Sequence, residues 1–378
     1  MRKKETRDTV TAPLPVYLIC MEPHAFSVPR RMDVGVLGAT GMVGQQFICQ
    51  LAAHPWFRPA WLAASERSEG RAYKDAASWR LPEDPPAEIA NVKVDACIPG
   101  KGPRLIFSAL DANAAKDLEP AFARAGHIVI TNARSFRMDP SVPLLIPEIN
   151  GEHLRLMPRQ RKDHGWPGAI VTNPNCSTVA LAMVLAPLRQ FGLRAVNVTT
   201  LQAVSGAGHP GVPSIDIIGN VVPFIGGEEE KIESETQKIL GSFADDSVTP
   251  HLVVVSAHTT RVPVVDGHTL MASIKLDDAP AVDEVREALR TWNGRPQELG
   301  LPSAPPRPIV CLDQQDRPQP RRDALRDGGM TVSVGRIRPC PVLGTKLAAL
   351  GHNTIRGAAG AAVLNAELMM AEGWVEAD

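Results

Sequence analysis

The sequence predicts an α/β protein: a Rossmann-type dinucleotide-binding domain with a parallel sheet, joined to an α+β domain built on a mixed sheet. Three features lead there. Short apolar runs alternate with helical stretches between residues 33 and 131, the rhythm of βαβ units. A glycine turn, Gly38-Ala39-Thr40-Gly41-Met42-Val43-Gly44, closes the first run and opens the first helix. Beyond residue 190 the apolar runs lengthen and the alternation stops. A chain of 378 residues suits two joined domains at roughly 150 residues each. It buries about 75% of the surface its unfolded form exposes, so it folds without a disulfide or a metal.

Residues 1–31 are mixed in charge, hold Pro13, Pro15, Pro23 and Pro29 and show no period, so they read as an extension. Strands follow at 33–37, 60–64, 105–109 and 128–131, with helices at 43–53 and 112–125. Residues 151–168 read as a loop, and an apolar helix is expected over 177–191. Strands at 195–203, 252–260 and 269–276 then suggest a mixed or antiparallel sheet. Residues 295–328, rich in Pro and Arg, read as a long loop that reaches a partner subunit. A strand resumes at 331–338, and 354–371 is an alanine-rich helix. The expected division is 32–174 for the first domain, completed by 351–378, and 175–350 for the second.

Composition removes several classes of function. Lys plus Arg number 40 and Asp plus Glu 41, a net charge of −1, without the basic excess of a nucleic-acid binder. Aromatics at 4% disfavour recognition by stacking. The longest nearly apolar run, 178–188, falls short of the roughly 20 residues a bilayer requires. The basic and acidic N-terminus lacks a signal-peptide core, so a cytoplasmic setting is expected. Six cysteines without a CxxC pair read as reduced thiols in that setting.

The glycine turn offers phosphate a helix N-terminus, with free N–H groups and a partial positive charge. Gly38 and Gly41 let backbone approach a pyrophosphate, and Gly44 lets helix pack on strand. After the second strand, Ser65, Arg67 and Ser68 favour a 2′-phosphate and hence NADP, while Glu66 leaves NAD open. A second signal is Asn173-Pro174-Asn175-Cys176-Ser177-Thr178 ahead of the apolar helix. Asn175 and Ser177 are residue types that suit helix caps, and a helix terminus lowers a thiol's pKa, so Cys176 is the candidate nucleophile. Asn175 is placed to donate to an oxyanion. The base is His268, in a turn before a strand and close in sequence to Arg261, or His209 in Ser205-Gly206-Ala207-Gly208-His209. Glu228 and Lys231, spaced i,i+3, read on their own as a solvated helix face.

Taken in order, GATGMVG, NPNCST, LQAVSGAG, GEEEKIESET, RVPVVDGHT and GHNTIRGAAG make residues 32–378 resemble the aspartate-semialdehyde dehydrogenase family, in its archaeal and fungal branch. The resemblance implies a catalytic and dimerisation domain after the nucleotide domain, NADP as cofactor and a homodimer or homotetramer. It implies that Cys176 is the nucleophile, His268 the acid/base, Gln202 an orienting residue and Asn175 the oxyanion partner. Arg261 matches the clamp on a substrate carboxylate, Glu228 the contact to its polar head, and Lys231 and Arg137 the phosphate pair, with Asn132 nearby. Gly38, Thr40, Gly41, Met42 and Val43 match the nucleotide loop, Asn353 and Thr354 match residues that close over the nicotinamide, and Ser205 and Gly206 count among the cofactor-binding residues. The implied reaction is reversible, NADP-dependent reductive dephosphorylation of L-4-aspartyl phosphate to the semialdehyde, for lysine, threonine and methionine synthesis. A reductase of a CoA thioester on the same scaffold, or a catalytically silent NADP-binding homologue, is the alternative.

Overall fold

The structure is a computed structural model that describes residues 30–376; the expected extension falls almost wholly outside these residues. Six strands form the first sheet: β1 (Met32–Leu37), β2 (Phe57–Ala64), β3 (Val94–Ala96), β4 (Leu105–Ser108), β5 (Ile128–Thr131) and β6 (Ala169–Thr172). All pairings are parallel, in the order β3-β2-β1-β4-β5-β6. Runs such as Leu105–Ser108 and Ile128–Thr131 are buried throughout because helices cover both faces of a parallel sheet. The strand order reverses between β1 and β4, and a crevice opens beyond their carboxyl ends, where such sheets bind ligands.

The second sheet holds β7 (Leu193–Gln202), β10 (Val254–Arg261), β11 (His268–Leu276), β12 (Ile309–Leu312), β13 (Val332–Cys340) and β14 (Gly344–Gly351). The hairpin β8 (Ser242–Ala244) and β9 (Ser247–Thr249) stands apart. The order is β10-β7-β11-β14-β13-β12, with parallel pairs at both edges and antiparallel pairs between, so the sheet is mixed. The helices of eight or more residues are α1 (Met42–Ala52), α2 (Ala112–Arg124), α3 (Met157–His164), α4 (Cys176–Leu185), α5 (Glu228–Ile239), α6 (Val282–Thr291) and α7 (Gly360–Ala371). Residues of α4, α5 and α6 share one buried cluster with the inward residues of the second sheet. Its other face leaves Asn197, Val254, Met271, Arg336 and Arg338 exposed. The C-terminal α7 returns to the core of the first sheet, where Ala362, Val363, Leu364 and Leu368 join Val34, Phe47 and Phe107. No helix among the described residues is long and apolar enough to cross a membrane.

Two stretches expected to be loops are structured. Residues 157–164 form α3, which Pro158 starts and Gly165, left-handed at φ 66°, stops. Gln160 pins it by accepting from Ile170 N (2.7 Å) and donating to Ile170 O (2.9 Å). The stretch 295–328 packs on its own chain: β12 pairs parallel with β13, and Leu301, Ile309 and Ala324 are buried. Its many prolines hid a short edge strand. The helix expected over 177–191 is α4 continued as a 3-10 turn from Ala186, where Pro187 cannot serve an α-helical ladder. The C-terminal helix opens with a π turn, Ile355–Ala359.

Below the crevice lies an ionisable group the nucleotide fold does not need. Glu119 of α2 is fully buried; its Oε1 accepts from Ser108 Oγ (2.7 Å) and Thr131 Oγ1 (2.5 Å), and its Oε2 has no partner. Burial pushes the carboxyl up to about 7, although the Thr131 and Ser108 bonds pull the other way. A raised carboxyl contributes stability that is complete below its unfolded value and is lost as pH climbs through its folded value. The wild-type protein is therefore expected to lose on the order of 3 kcal/mol from this group between about pH 4.5 and 7. Glu119→Gln should remove that slope and unfold at higher temperature than wild type at pH 8, with little difference at pH 4.5. Parallel Tm-against-pH curves for the two proteins would count against it.

Candidate active site

Sheet register assembles the site. β10 runs parallel to β7 and pairs Arg261 with Gln202, so both side chains emerge at one end of the sheet. β11 runs antiparallel to β7 and begins at that end with His268. Cys176 starts α4 there, and Asn175 is its N-cap, accepting from Ser177 N (2.9 Å) and Thr178 N (3.3 Å) through Oδ1. Gly357 presses on this turn from the C-terminal segment; a Cβ at 357 would lie 2.6 Å from Cys176 Cβ.

The remaining wall is α5. Glu228, Lys231, Glu235 and Lys238 recur at i, i+3, i+7 and i+10, a single face of the helix. That face looks inward. Glu228 accepts from Lys231 Nζ (2.6 Å), Asn175 Nδ2 (2.7 Å) and Gln202 Nε2 (3.3 Å). Burial pulls this carboxyl up, but Lys231, Asn175 and Gln202 outweigh it and hold it below the usual range. Glu235, 1% exposed, accepts from Arg137 Nη1 (2.9 Å) and from the backbone N–H of Asn175 (2.6 Å). Lys238 donates to the carbonyls of Arg137 (2.7 Å), Asp139 (2.7 Å) and Val142 (2.9 Å), and burial lowers it to about 8 against the pull of Asp139 and Glu235. The solvated-face reading of Glu228–Lys231 is thus corrected. Glu235 and Lys238 escaped the sequence analysis; their heptad-like spacing with Glu228 and Lys231 was the available signal.

The cations differ in how far they are paired. Arg137 uses Nη1 for Glu235 and Nη2 for Asn132 O (2.7 Å), but its buried Nε has no partner. Asn132 Nδ2, also buried, has none either. Arg261 is buried and donates Nη1 to Ala203 O (2.7 Å); among the described residues no carboxylate pairs with it. Buried donors left over in this way ask for an acceptor from outside the chain.

The two reactive groups rest in neutral forms. Cys176 keeps some contact with solvent, yet burial first and Glu228 second push its thiol up to about 12, over the opposing pull of Arg137, Arg261 and the Ser177 N–H. The lowering expected from a helix start is real but is outweighed. His268 is fully buried, and burial, Arg261 and His352 drive it down to about 3 despite Glu228. Its Nδ1 accepts from the Ala203 N–H (3.0 Å), which leaves the ring proton on Nε2, 3.5 Å from Gln202 Nε2. Nε2 thus starts as a donor suited to an oxyanion. Acting as a base requires the other tautomer and the loss of the Ala203 contact. The rival His209 is exposed in its loop.

A crevice of about 930 Å³ opens at the carboxyl ends of the first sheet, lined by Gly38, Thr40, Gly41, Ser65, Glu66 and Arg67 among others. Gly41 caps α1 without a side-chain bond, so the first N–H groups of α1, including those of Met42 and Val43, are free for an anion. Gly38 sits at φ 70°, and a Cβ there would be 2.6 Å from Ala109 O. This cradle and the exposed Arg67 on its rim fit a dinucleotide with a 2′-phosphate. Ser68 does not fit that part: it is buried and lies off the crevice. Ser205, Gly206 and Asn353 gather beside His268. Asn353 donates to Ser205 Oγ (2.7 Å) and accepts from Gly267 N (2.8 Å), and a Cβ on Gly206 would be 2.9 Å from His268 Cε1. Thr354 is buried next to His352.

Comparison with known proteins meets this geometry. Residues 33–157 match the family model "Semialdehyde dehydrogenase, NAD binding domain", and 185–356 match "Semialdehyde dehydrogenase, dimerisation domain". An aspartate-semialdehyde dehydrogenase of Methanothermobacter thermautotrophicus is 51% identical over 89% of this chain and 99% of its own length. One from Cryptococcus neoformans is 47% identical over 92% and 100%. The crystal structure of the Candida albicans enzyme with NADP superposes with a TM-score of 0.84 at 43% identity, covering 92% of this chain and all of the other. Sequence and fold agree that the chain belongs to the aspartate-semialdehyde dehydrogenase family.

Proposed function

We propose that the enzyme performs the reversible, NADP-dependent reductive dephosphorylation of L-4-aspartyl phosphate to L-aspartate-4-semialdehyde, in lysine, threonine and methionine biosynthesis. The observation that carries this reading is the pair of unpartnered buried donors, Arg137 Nε and Asn132 Nδ2, in the cleft of the Cys176 thiol. A phosphate suits them better than the thioester of a CoA substrate would.

In the biosynthetic direction the Cys176 thiol gives its proton to the solvent it touches, its sulfur attacks the acyl carbon, and the carbon–oxygen bond to phosphate breaks with the electron pair leaving on phosphate. Arg137 and Lys231 hold the departing phosphate, Arg as a directional donor and Lys as a point charge. Arg261 clamps the α-carboxylate, and Glu228 faces the ammonium. Glu228 and Lys231 already neutralise each other, so the ammonium and the phosphate exchange partners within that pair, and the net negative charge the substrate brings is set against Arg261, which no carboxylate pairs among the described residues. Asn175 spends Oδ1 on its cap and one Nδ2 hydrogen on Glu228, so the other hydrogen is its donor to an oxyanion. The bound nicotinamide supplies the hydride, and Gly38, Thr40, Gly41, Met42, Val43, Ser65 and Arg67 would hold its dinucleotide. Gln202 orients the reacting centre, and His268 donates its Nε2–H to the substrate oxyanion, serving as a base only in the other tautomer, with Nδ1 withdrawn from the Ala203 N–H. Ser205, Gly206, Asn353 and Thr354 shape the nicotinamide end. The open face of the second sheet serves a homodimer, or a homotetramer built from it, in the cytoplasm.

Phosphate-dependent oxidation of the semialdehyde, followed by NADPH absorbance, tests the reading. Cys176→Ala should abolish turnover while leaving NADP binding and Tm intact; a fully active variant overturns the assignment. Arg261→Lys should raise the KM for the semialdehyde by about tenfold or more, since one bidentate contact is lost. An unchanged KM and kcat would remove Arg261 from the clamp. The resting state of the thiol also fixes a pH dependence. With Cys176 pushed up and His268 driven down, log kcat/KM should climb steadily from about pH 6 to 9, with no imidazole inflection near 6.5. A plateau across that range would contradict this, since attack would then not wait on loss of the thiol proton to solvent.

A further inference from the structure

We infer that Glu235 and Lys238 are positioning residues for phosphate: together they fix the guanidinium of Arg137, and Glu235 ties it to the backbone turn that carries Cys176. The inference rests on the phosphate role proposed for Arg137 and goes one step further, to what aims that arginine. Arg137 lies in the loop after β5 of the first domain, whereas Glu235 and Lys238 belong to α5 of the second. A side chain reaching across from a loop has no fixed aim of its own, and misplacement by about an ångström can cost on the order of 100-fold in rate.

The geometry supplies the aim from both ends. Lys238 gathers the carbonyls of residues 137, 139 and 142, which fixes the Arg137 backbone against α5. Glu235 Oε1 takes Arg137 Nη1, and the Asn132 carbonyl takes Nη2. Each terminal nitrogen thereby gives one hydrogen to the protein, and Nε is the nitrogen left without any partner. Glu235 Oε2 holds the Asn175 N–H, immediately before the nucleophile. One carboxylate thus sets the arginine and the thiol turn relative to each other, the relation an acyl phosphate needs at its phosphorus and its carbon. Neutral glutamine cannot reproduce this. Its single oxygen can serve Asn175 N–H or Arg137, and its amide hydrogens would confront the other donor.

The test uses the full-length enzyme in the oxidative direction, with inorganic phosphate and semialdehyde varied separately. Glu235→Gln and Lys238→Met should each raise the KM for phosphate by about tenfold or more, with the KM for semialdehyde within about twofold of wild type. Glu233→Gln is the control on the same helix; Glu233 accepts from Ala257 N and faces away from the thiol turn, so its phosphate KM should stay at the wild-type value. Should Glu235→Gln fold poorly, Glu235→Asp keeps the charge but cannot span both partners, and the same selective rise in phosphate KM is expected. A phosphate KM within about twofold of wild type, or both KM values and Tm changing together, overturns the inference. If wild type turns over without phosphate, the functional reading itself fails. If Arg137→Gln raises the phosphate KM but the Glu235 variants do not, only the positioning role fails.

Discussion

Charge is costly to bury alone, and this cleft buries Arg137, Arg261, Glu228, Glu235 and Lys238 together. The inward stripe of α5 makes that tolerable. Glu228 gathers Lys231, Asn175 and Gln202; Glu235 gathers Arg137 and the Asn175 backbone; Lys238 satisfies three carbonyls. Nearly every polar group that shapes the thiol's surroundings leads back to one helix face. Breaking one member of such a set strands another in low dielectric, so the set behaves as a unit.

Burial, more than the stripe, explains why the thiol and the imidazole rest in neutral forms. Glu228 raises Cys176 while Arg137 and Arg261 lower it, and burial decides the balance in favour of the thiol. Arg261 and His352 repel a proton from His268, again with burial as the larger influence. A site built this way keeps its nucleophile in the quiet, protonated form at rest. The C-terminal segment closes the arrangement from the first domain's side. Arg356, fully buried, pairs with Glu148 (2.7 Å), and its neighbour Gly357 leaves just enough room for the Cys176 turn.

Much of this was legible in the sequence, for identifiable reasons. The βαβ rhythm, the glycine turn and the N-cap at Asn175 are local patterns, and local patterns survive translation into structure. The nearness of Arg261 and His268 followed from where strands end and begin, whereas Gln202 came from the family resemblance alone. What was hidden depended on tertiary context. Glu235 and Lys238 sit in a helix so charged that it looked solvated, and only the first domain's loop at 132–142 reveals which face is inside. α3 and β12 lay in stretches whose prolines and polar residues masked them. The direction of the Cys176 shift was misjudged because a helix terminus acts locally, whereas desolvation sums over the whole surroundings.

The account's central claim is that Cys176, held in this charge-balanced cleft, carries the acyl group. Mixing the enzyme with L-4-aspartyl phosphate in the absence of reduced nucleotide, quenching in acid and mapping the peptides by mass spectrometry tests it directly. The account predicts one added aspartyl group on the peptide that contains Cys176, absent from Cys176→Ala. No adduct, or an adduct on another residue that persists in the variant, would contradict it.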